Sequence, residues 1–448
     1  MNAQSLRSAI AGSVVSKGEP EYEVLRDAML WNRLVPQQYP QAIARVAAAA
    51  DVVECVRFAR AERLQIAVRG RGHSMSGAPL RNGTLLIDLS QLDAIEIDAD
   101  AGTAIVGPAV TGRQLIQALS PHGFMFPAGH CSSVPMSGYL LSGGLGWNQS
   151  DLGPACASVR AVELVTADGT CVTATDSAHA DLLWAARGAG VCFFGVATRF
   201  HLQLHRTPGA IHTSTYVYPI DWAADVAAWA ATLAPDLPRY VELTMLLFAA
   251  PGSNQRVCIL TGSAFAQSAE QAAGALQPLA DSPFIDRCLN VIENQPTPID
   301  ALFDTVDPTF PDHHRYLSDT FWLKSSPGDV IALARDRLAD APSPRSGMLC
   351  LISGLPPQLP DMAFSQRDRA LLACYAVWDK EQDDAANQNW LRAVGGAMER
   401  HANGHHIGEC DLSVPIRVER SFSPDAWRRL NDLRRQYDPS SLFSTPLR

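Results

Sequence analysis

A glycine-rich loop constrains this chain more than any other stretch of its sequence. Residues 68–77, VRGRGHSMSG, contain three glycines and one histidine between two apolar runs. Glycine adopts positive φ without steric cost, and successive exposed N–H groups in such a run form a concave site for phosphate oxygens. The loop therefore predicts a bound diphosphate, and the residues we assign to it are Arg69, Gly70, Arg71, Gly72, Ser74 and Gly77.

Two familiar nucleotide-binding loops do not have this spacing. A Walker loop needs a lysine after its last glycine, and Ala78 stands there. A Rossmann loop must open a helix, whereas this loop runs into Pro79, a second turn at Asn82-Gly83 and the apolar run TLLIDL. We therefore expect another mode of diphosphate binding.

A second glycine cluster follows at residues 127–148, PAGHCSSVPMSGYLLSGGLGWN. Two such loops about 60 residues apart could clamp one extended ligand at its diphosphate. Composition alone leaves open that both are ordinary turns. The glycines assigned to the ligand are Gly129, Gly138, Gly143, Gly144 and Gly146, and the flanking Tyr139, Trp147 and Asn148 either line its pocket or pack around the cluster.

The pattern of runs predicts an α+β protein with more than one domain, because 448 residues exceed one ordinary core. Short β-branched runs fill about 36–205, and Ala-rich helices with longer apolar runs, predicted to form an antiparallel sheet covered by helices, fill about 210–405. Residues 39–63 predict a helix pair with Asp51 as N-cap. The tail predicts a helix with Ser423 as N-cap and Pro424 at its first position.

Charge and composition exclude several classes of function. The net charge of −10 argues against a nucleic-acid or anionic-membrane partner. No secretory signal and no long apolar run is visible, so we expect a cytoplasmic protein, a monomer or a homodimer. Ten scattered cysteines lack any C-x-x-C pair. Histidines at 313–314 and 405–406 suggest zinc or iron, but no H-E-x-x-H pattern exists and we expect no metal.

The order of several motifs resembles the FAD-linked oxidases of the vanillyl-alcohol oxidase superfamily, in the berberine-bridge-enzyme-like branch with its bacterial hydroxynicotine and carbohydrate oxidases. These motifs are the two glycine loops, then AVELVTADGT, DLLWAARGAGVCFFGVATRF and QYDPSSLF. The resemblance implies a two-lobed FAD-binding domain over residues 1–207, a substrate-binding domain over 208–410 and a segment 411–448 that returns to the FAD domain.

The same resemblance assigns the cofactor contacts. His73 would be bonded to the 8α-methyl of the flavin, and Cys131 to flavin C6, with Gly195 and Val196 against the cofactor. An imidazole is a competent nucleophile for such a bond. The alternatives are a hydrogen-bonding loop histidine at 73 and a packing thiol at 131. The family usually has glycine where Arg71 stands, so we expect a different local loop geometry or a different charge near the diphosphate.

The resemblance also implies the reaction, in which FAD takes a hydride at N5 from a CH–OH or CH–N group of a small metabolite. Val134 stands where oxygen-reactive members carry valine, which implies an oxidase that forms hydrogen peroxide, or else a core residue. Two alternatives stay open: a dehydrogenase that uses another electron acceptor, and a catalytically silent flavin- or ligand-binding protein.

The substrate side has a modified motif. Bacterial relatives carry a Tyr-x-Asn-Glu strand whose tyrosine takes the substrate proton; here His406 and Gly408 replace Tyr and Asn, and Glu409 is retained. On a strand, His406 and Glu409 would point to opposite faces. His406 is a candidate general base or a merely hydrogen-bonding residue, and Glu409 and Tyr139 complete the catalytic candidates.

Overall fold

The computed structural model describes residues 3–250 and 252–446, which form a mixed α+β protein with four β-sheets. The strands of the first half are β1 Ser13–Ser16, β2 Ala42–Arg45, β3 Ile66–Arg69, β4 Leu85–Asp88, β5 Ile95–Asp98, β6 Thr103–Val106, β7 Phe124–Met125, β8 Val159–Val165, β9 Cys171–Ala174, β10 Val196–Gln203 and β11 His205–Arg206. Its helices are α1 Ala3–Ala9, α2 Tyr22–Asp27, α3 Ala49–Glu62, α4 Gly112–Leu119, α5 Met136–Leu141, α6 Gln149–Leu152 and α7 Ala180–Ala186.

Two small sheets share one core in this half. One has the order β1-β2-β4-β3, with parallel pairing of β4 to both its neighbours, and the other is antiparallel in the order β5-β6-β10-β8-β9. Apolar side chains of both sheets and of α3 pack into a single buried cluster. The glycine loop leaves this core directly from the end of β3.

The predicted helix pair at residues 39–63 was half wrong. Its first part is β2, which pairs with β4 through three apolar residue pairs and the Arg45–Asp88 pair, so tertiary pairing overrides the helical propensity of the alanines. The helix α3 has Ala48 rather than Asp51 at its N-cap. Asp51 lies inside the first turn, where its carboxylate accepts hydrogen bonds from the N–H groups of Ala47 at 2.8 Å and Ala11 at 2.9 Å.

The second half is built on one eight-stranded sheet. Its strands are β12 Ala210–Pro219, β13 Val241–Ala249, β14 Arg256–Ala266, β15 Asn290–Pro296, β16 Arg315–Leu323, β17 Gly347–Leu351, β18 Leu371–Trp378 and β19 Ala402–Gly404. Its helices are α8 Ala223–Leu233, α9 Ala269–Ala280, α10 Ile299–Val306, α11 Pro327–Ala339 and α12 Asp384–Met398. The sheet order is β15-β12-β14-β13-β17-β18-β16-β19, and all its pairs are antiparallel.

The two faces of this sheet have different neighbours. Alternate residues such as Leu372 and Cys374 pack beneath α8, α9, α11 and α12, where the second core lies. The intervening residues, such as Ala373 and Tyr375, point the other way, toward the loops of the first half. The sheet therefore supplies one wall of a space between the two halves.

The chain then returns to the first core through α13 Pro415–Glu419 and α14 Pro424–Tyr437. Ser423 caps α14 by accepting a hydrogen bond from the Ala426 N–H at 3.3 Å, with Pro424 at the first position, as predicted. Beyond the helix, the Ile66 N–H donates to the carbonyl of Leu442 at 2.7 Å. None of the helices in the described ranges is long and apolar enough to cross a membrane.

Candidate active site

A cavity of about 1550 Å³ lies between the glycine loops and the uncovered face of the large sheet. Most of the predicted site residues line it: Arg69, Gly70, Arg71, Gly72, His73, Ser74, Gly129, Cys131, Val134, Gly138, Tyr139, Gly144, Trp147, His406 and Glu409. Gly77, Gly143, Gly146 and Asn148 belong to the same loops but stand behind the lining. Over residues 3–250 and 252–446, no cluster of three or more His, Cys, Asp or Glu side chains has a metal-binding arrangement.

Backbone geometry shapes the first loop for a ligand. Gly72 has φ of +77°, and a Cβ there would stand 2.1 Å from the carbonyl oxygen of Met29. A Cβ on Gly70 would meet Oγ of Ser137 at 2.1 Å. In the part of the chain that the structure describes, the N–H groups of residues 71–76 donate no hydrogen bond to the protein. This row of free donors along a cavity fits the diphosphate of a dinucleotide.

The two arginines of the loop are anchors. Arg69 pairs with the fully buried Asp88 at 2.6 Å and donates to the Met29 carbonyl at 2.7 Å. Arg71, the departure from the family pattern, donates through Nε to the Ala109 carbonyl at 2.7 Å, and its Nη2 lies 3.8 Å from Asp93. The charge of Arg71 is therefore partly balanced by the protein itself.

The second loop folds back on itself through a bridge between Gly129 and Gly146. The Tyr139 ring packs against both glycines of this bridge, and its hydroxyl donates to the Pro127 carbonyl at 2.6 Å. That hydroxyl is engaged by the loop rather than directed at the cavity. Gly138 is bare toward open space, with no atom within 4 Å of the position of a Cβ.

Polar atoms near the second loop lack protein partners. Within the described ranges, Nε1 of Trp147 and Oδ1 of Asn148 are buried without a hydrogen bond. Trp147 packs edge-on against His130, with ring centroids 4.3 Å apart. Buried unpaired groups of this kind are costly unless a ligand or water satisfies them, which again fits a polar cofactor between the loops.

Gly195 and Val196 lie apart from the other cofactor candidates. Val196 begins β10 with its side chain fully buried in the first core, and a Cβ on Gly195 would meet Leu164 at 2.8 Å. Neither lines the cavity. From this part of the chain it is Val191 that reaches the lining.

His73 and Cys131, from the two glycine-rich loops, both line the cavity. Nε2 of His73 is 2.9 Å from Oγ of Ser133, and the imidazole stacks on Trp31 with ring centroids 4.7 Å apart. Burial lowers the pKa of His73 to about 4, so its ring is neutral at physiological pH. Burial, reinforced by the carboxylates of Glu409 and Asp307, raises the pKa of the Cys131 thiol well above its usual value.

The segment at residues 405–411 corrects the strand prediction. β19 ends at Gly404, and the next residues form a turn in which the N–H groups of Glu409 and Cys410 donate to the carbonyl of His406 at 3.1 and 3.0 Å. The turn brings His406 and Glu409 to the same cavity instead of to opposite faces. The hydroxyl of Thr320 holds the turn by accepting from the His406 N–H at 3.0 Å.

The two candidate bases have different surroundings. Nδ1 of His406 is buried without a partner in the described structure, and burial lowers the pKa of the imidazole to about 4. The Glu409 carboxylate accepts a hydrogen bond from the hydroxyl of Tyr375 at 3.2 Å. Burial raises the pKa of Glu409, and the Tyr375 hydrogen bond opposes that rise.

Tyr375 and the support behind the turn are absent from the sequence-based site. Tyr375 alternates with Leu371, Ala373 and Val377 on β18, so period-two reading of LLACYAVW could have placed it on the cavity face. Behind the turn, the buried Arg417 pairs with Asp319 at 3.0 Å, and Asp319 accepts from the Asp411 N–H at 3.3 Å. No local motif marks that pair.

Free loop N–H groups, an imidazole and a thiol along one large cavity are the features expected of a flavin-dependent oxidoreductase. Comparison with known proteins identifies the family. A family model described as an FAD binding domain matches residues 40–175. The FAD-linked oxidoreductase ptmO of Penicillium ochrochloron is 30% identical over 428 residues, covering 95% of this chain and 94% of that protein.

Further relatives agree. The (R)-6-hydroxynicotine oxidase of Paenarthrobacter nicotinovorans is 30% identical over 235 residues, covering 52% of this chain and 50% of that protein. The solved 6-hydroxy-D-nicotine oxidase from Arthrobacter nicotinovorans superposes with a TM-score of 0.86 at 20% identity, covering 98% of both chains. The berberine bridge enzyme from Eschscholzia californica gives 0.81 at 19% identity, covering 99% of this chain and 97% of that one.

The chain belongs to the FAD-linked oxidoreductases, and it shares the fold of the hydroxynicotine oxidase and the berberine bridge enzyme. The predicted family, the α+β fold class and the assignment as an FAD-dependent oxidoreductase are therefore confirmed.

Proposed function

We propose that this protein is an oxidase that holds FAD covalently through His73 and Cys131, oxidises a CH–OH or CH–N group of a small metabolite, and passes the electrons to oxygen to give hydrogen peroxide. The observation that carries the proposal is the presence of His73 and Cys131 in the lining of one cavity, which the loop with free N–H groups also lines. When bound, FAD supplies the acceptor for the substrate hydride.

The surroundings of His73 suit attachment. A nucleophilic imidazole must be neutral, and burial keeps this one so. The hydrogen bond to Ser133 and the Trp31 stack fix the ring in one orientation, which leaves Nδ1 as the nitrogen without a protein partner in the described structure. Cys131 lies on the same loop as Ser133, and the adjacent Ser132 anchors that loop by donating to Asp307 from N at 3.0 Å and Oγ at 2.6 Å.

The chain also provides for the substrate proton. An alcohol or amine that loses a hydride must release a proton to a nearby group, and the turn presents His406 and Glu409 to the cavity for this purpose. For oxygen, the support is Val134, a small side chain in the cavity lining three residues from Cys131.

The first experiment is acid precipitation of the purified protein, followed by measurement of flavin in the pellet. We compare wild type with His73→Ala, Cys131→Ala and the double variant, and use Cys156→Ala as a control because that thiol is buried away from the cavity. Flavin that stays in the pellet for each single variant and is released only from the double variant supports two attachment points. Flavin released from wild type refutes covalent attachment.

The second experiment separates an oxidase from a dehydrogenase. The flavin is reduced anaerobically with substrate, and air is then admitted while the absorbance is followed. Rapid reoxidation with stoichiometric hydrogen peroxide supports the oxidase. Slow reoxidation that an artificial electron acceptor accelerates would favour the dehydrogenase.

A further inference from the structure

The uncovered face of the large sheet and the Tyr375–Glu409 pair together indicate which chemical class of substrate the cavity accepts. We propose that the cavity accepts a neutral, largely hydrocarbon alcohol, and that the Tyr375–Glu409 pair receives its hydroxyl proton. This inference rests on the proposed function and deepens it, because that function leaves both CH–OH and CH–N substrates open.

The middle of the sheet face is apolar. Leu246 on β13 is in register with Leu349 on β17, and Leu349 with Ala373 on β18. One row further along, Leu351 is in register with Leu371. All five side chains line the cavity. A substrate with a hydroxyl on nearly every carbon would leave those hydroxyls unpaired against this wall, which disfavours its binding.

A row of threonines crosses the far side of the face. Thr215, Thr261 and Thr244 are in register on three adjacent strands, and the hydroxyls of Thr215 and Thr261 are 3.1 Å apart. This row lies four residues along the strands from the row of Tyr375, or about 13 Å. Such a row offers neutral hydrogen bonds to a single polar group at the far end of an elongated molecule.

The charged side chains of the cavity are already paired. Arg69 pairs with Asp88 at 2.6 Å, Arg71 with Asp93 at 3.8 Å, Asp307 with Arg113 at 3.3 Å and Arg345 with Asp379 at 3.3 Å, while Asp312 accepts from the Trp31 indole. The three imidazoles of the lining, His73, His130 and His406, are neutral because burial lowers the pKa of each to about 4. Apart from Glu409, the described lining therefore offers a charged substrate no counter-charge that lacks a protein partner.

Glu409 differs from these groups because its partner is a phenol. Tyr375 donates to Oε2 of Glu409 at 3.2 Å, and Ser318 fixes the backbone of the residue by donating to its carbonyl at 2.7 Å. Phe310 packs edge-on against the Tyr375 ring, with centroids 4.9 Å apart. In this arrangement Oε1 of the carboxylate has no protein partner in the described structure and is available to a substrate hydroxyl.

The proposed oxidation is balanced in atoms and electrons. The substrate C–H bond breaks and its electron pair leaves as hydride to the bound flavin, while the substrate O–H bond breaks and its proton passes to the Glu409 carboxylate. A C=O bond forms, and Glu409 becomes a carboxylic acid that returns its proton to solvent. Tyr375 stays protonated and orients the carboxylate through its hydrogen bond.

The substrate class is tested on the flavin-loaded enzyme with compounds of one skeleton, cinnamyl alcohol and cinnamylamine, and with cellobiose. We measure the dissociation constant from the perturbation of the flavin absorbance, and the rate of anaerobic flavin reduction. The proposal expects the alcohol to bind at least tenfold more tightly than the other two and to reduce the flavin fastest. Equal affinities, or preference for the amine or the sugar, overturn it.

Two variants test the wall and the charge argument. Leu349→Asp places a carboxylate in the apolar wall, and we expect it to weaken binding of the alcohol tenfold or more and to strengthen binding of the amine. Leu349→Met preserves the apolar character and is the matched control. An unchanged preference in Leu349→Asp, with normal flavin content, contradicts the apolar wall as the determinant.

The proton acceptor is tested with Glu409→Gln and Tyr375→Phe, against Tyr218→Phe on the opposite face of the same sheet, whose hydroxyl contacts Ser282. In wild type, flavin reduction should slow as the pH falls, because Glu409 becomes protonated. Glu409→Gln should lose at least a hundredfold in rate together with this acid limb, and Tyr375→Phe should shift the limb. A limb that survives in Glu409→Gln assigns the proton to another group.

The two levels of failure are distinguishable. A protein that carries no flavin, or whose flavin no compound reduces or perturbs, fails the proposed function and with it this inference. A flavin-loaded protein that prefers the amine or the sugar retains the proposed function and refutes only the substrate class.

Discussion

Nε2 of His73 lies 2.9 Å from Oγ of Ser133, so a single hydrogen bond joins the two glycine-rich loops at the point where the chain presents its imidazole. Because that bond orients the ring, we expect Ser133→Ala to slow attachment of flavin at His73 several-fold while leaving total flavin binding nearly unchanged. The measurement is the covalent fraction after acid precipitation, taken over time as FAD is added to the apoprotein.

A matched control exists in the same chain. Ser158 and His205 form a pair with the same 2.9 Å separation, away from the cavity. Ser158→Ala should leave the rate of attachment unchanged. If both variants slow attachment equally, the effect is one of general stability and the role assigned to Ser133 is wrong.

Asn32 joins the first loop to the large sheet. Its side-chain amide donates to the carbonyls of Met75 at 2.9 Å and Tyr316 at 2.8 Å, and its oxygen accepts from the N–H of Tyr316 at 2.9 Å. Because Asn32 is fully buried, Asn32→Ala leaves these groups unpaired, and we expect a loss of about 2 to 4 kcal/mol in the free energy of unfolding. Chemical denaturation measures it, with the exposed Asn403→Ala as control; a loss below about 1 kcal/mol contradicts this reading.

Much of the fold could be predicted from the sequence because it depends on residues that are close together in the chain. Apolar runs predicted the antiparallel sheet to which β13, β14, β17 and β18 belong, and the glycine spacing predicted both loops of the site. The tail helix was predicted down to its cap, since Ser423 and Pro424 act within one turn. The domain boundaries at 207 and 410 and the roles of the site residues stay predictions.

What could not be read depends on contacts between distant parts of the chain. His406 and Glu409 share the cavity only because Thr320, 86 residues earlier, holds the turn. Asn32 reaches Tyr316 across 284 residues. The run at residues 42–45 is a strand because β4 is available to pair with it, which its alanines do not reveal.

Val134 tests the oxygen proposal. Its carbonyl accepts from the Gly112 N–H at 3.1 Å, which fixes the backbone while the side chain lines the cavity. We expect the longer side chain in Val134→Leu to hinder oxygen and to slow reoxidation at least tenfold, with anaerobic reduction unchanged. Stopped-flow mixing of the reduced enzyme with oxygen measures this, and Val306→Leu, elsewhere in the lining, is the control. Reoxidation at the wild-type rate would show that Val134 does not control the reaction with oxygen.

Glu242 on β13 ties the large sheet to the second glycine loop and makes stability depend on pH. Its buried carboxylate accepts from the Gln149 N–H at 2.6 Å, and burial raises its pKa from 4.5 to about 7. The folded state therefore holds a proton that the unfolded state releases, so stability falls as the pH rises from about 4.5 to about 7 and is then level.

Glu242→Gln removes this dependence, and its stability relative to wild type should increase across that window by up to about 3 kcal/mol. Urea denaturation at several pH values measures the difference, with the exposed Glu419→Gln as control. A difference that stays constant with pH would mean that Glu242 is ionised throughout, held by the N–H groups of the loop against the cost of its burial.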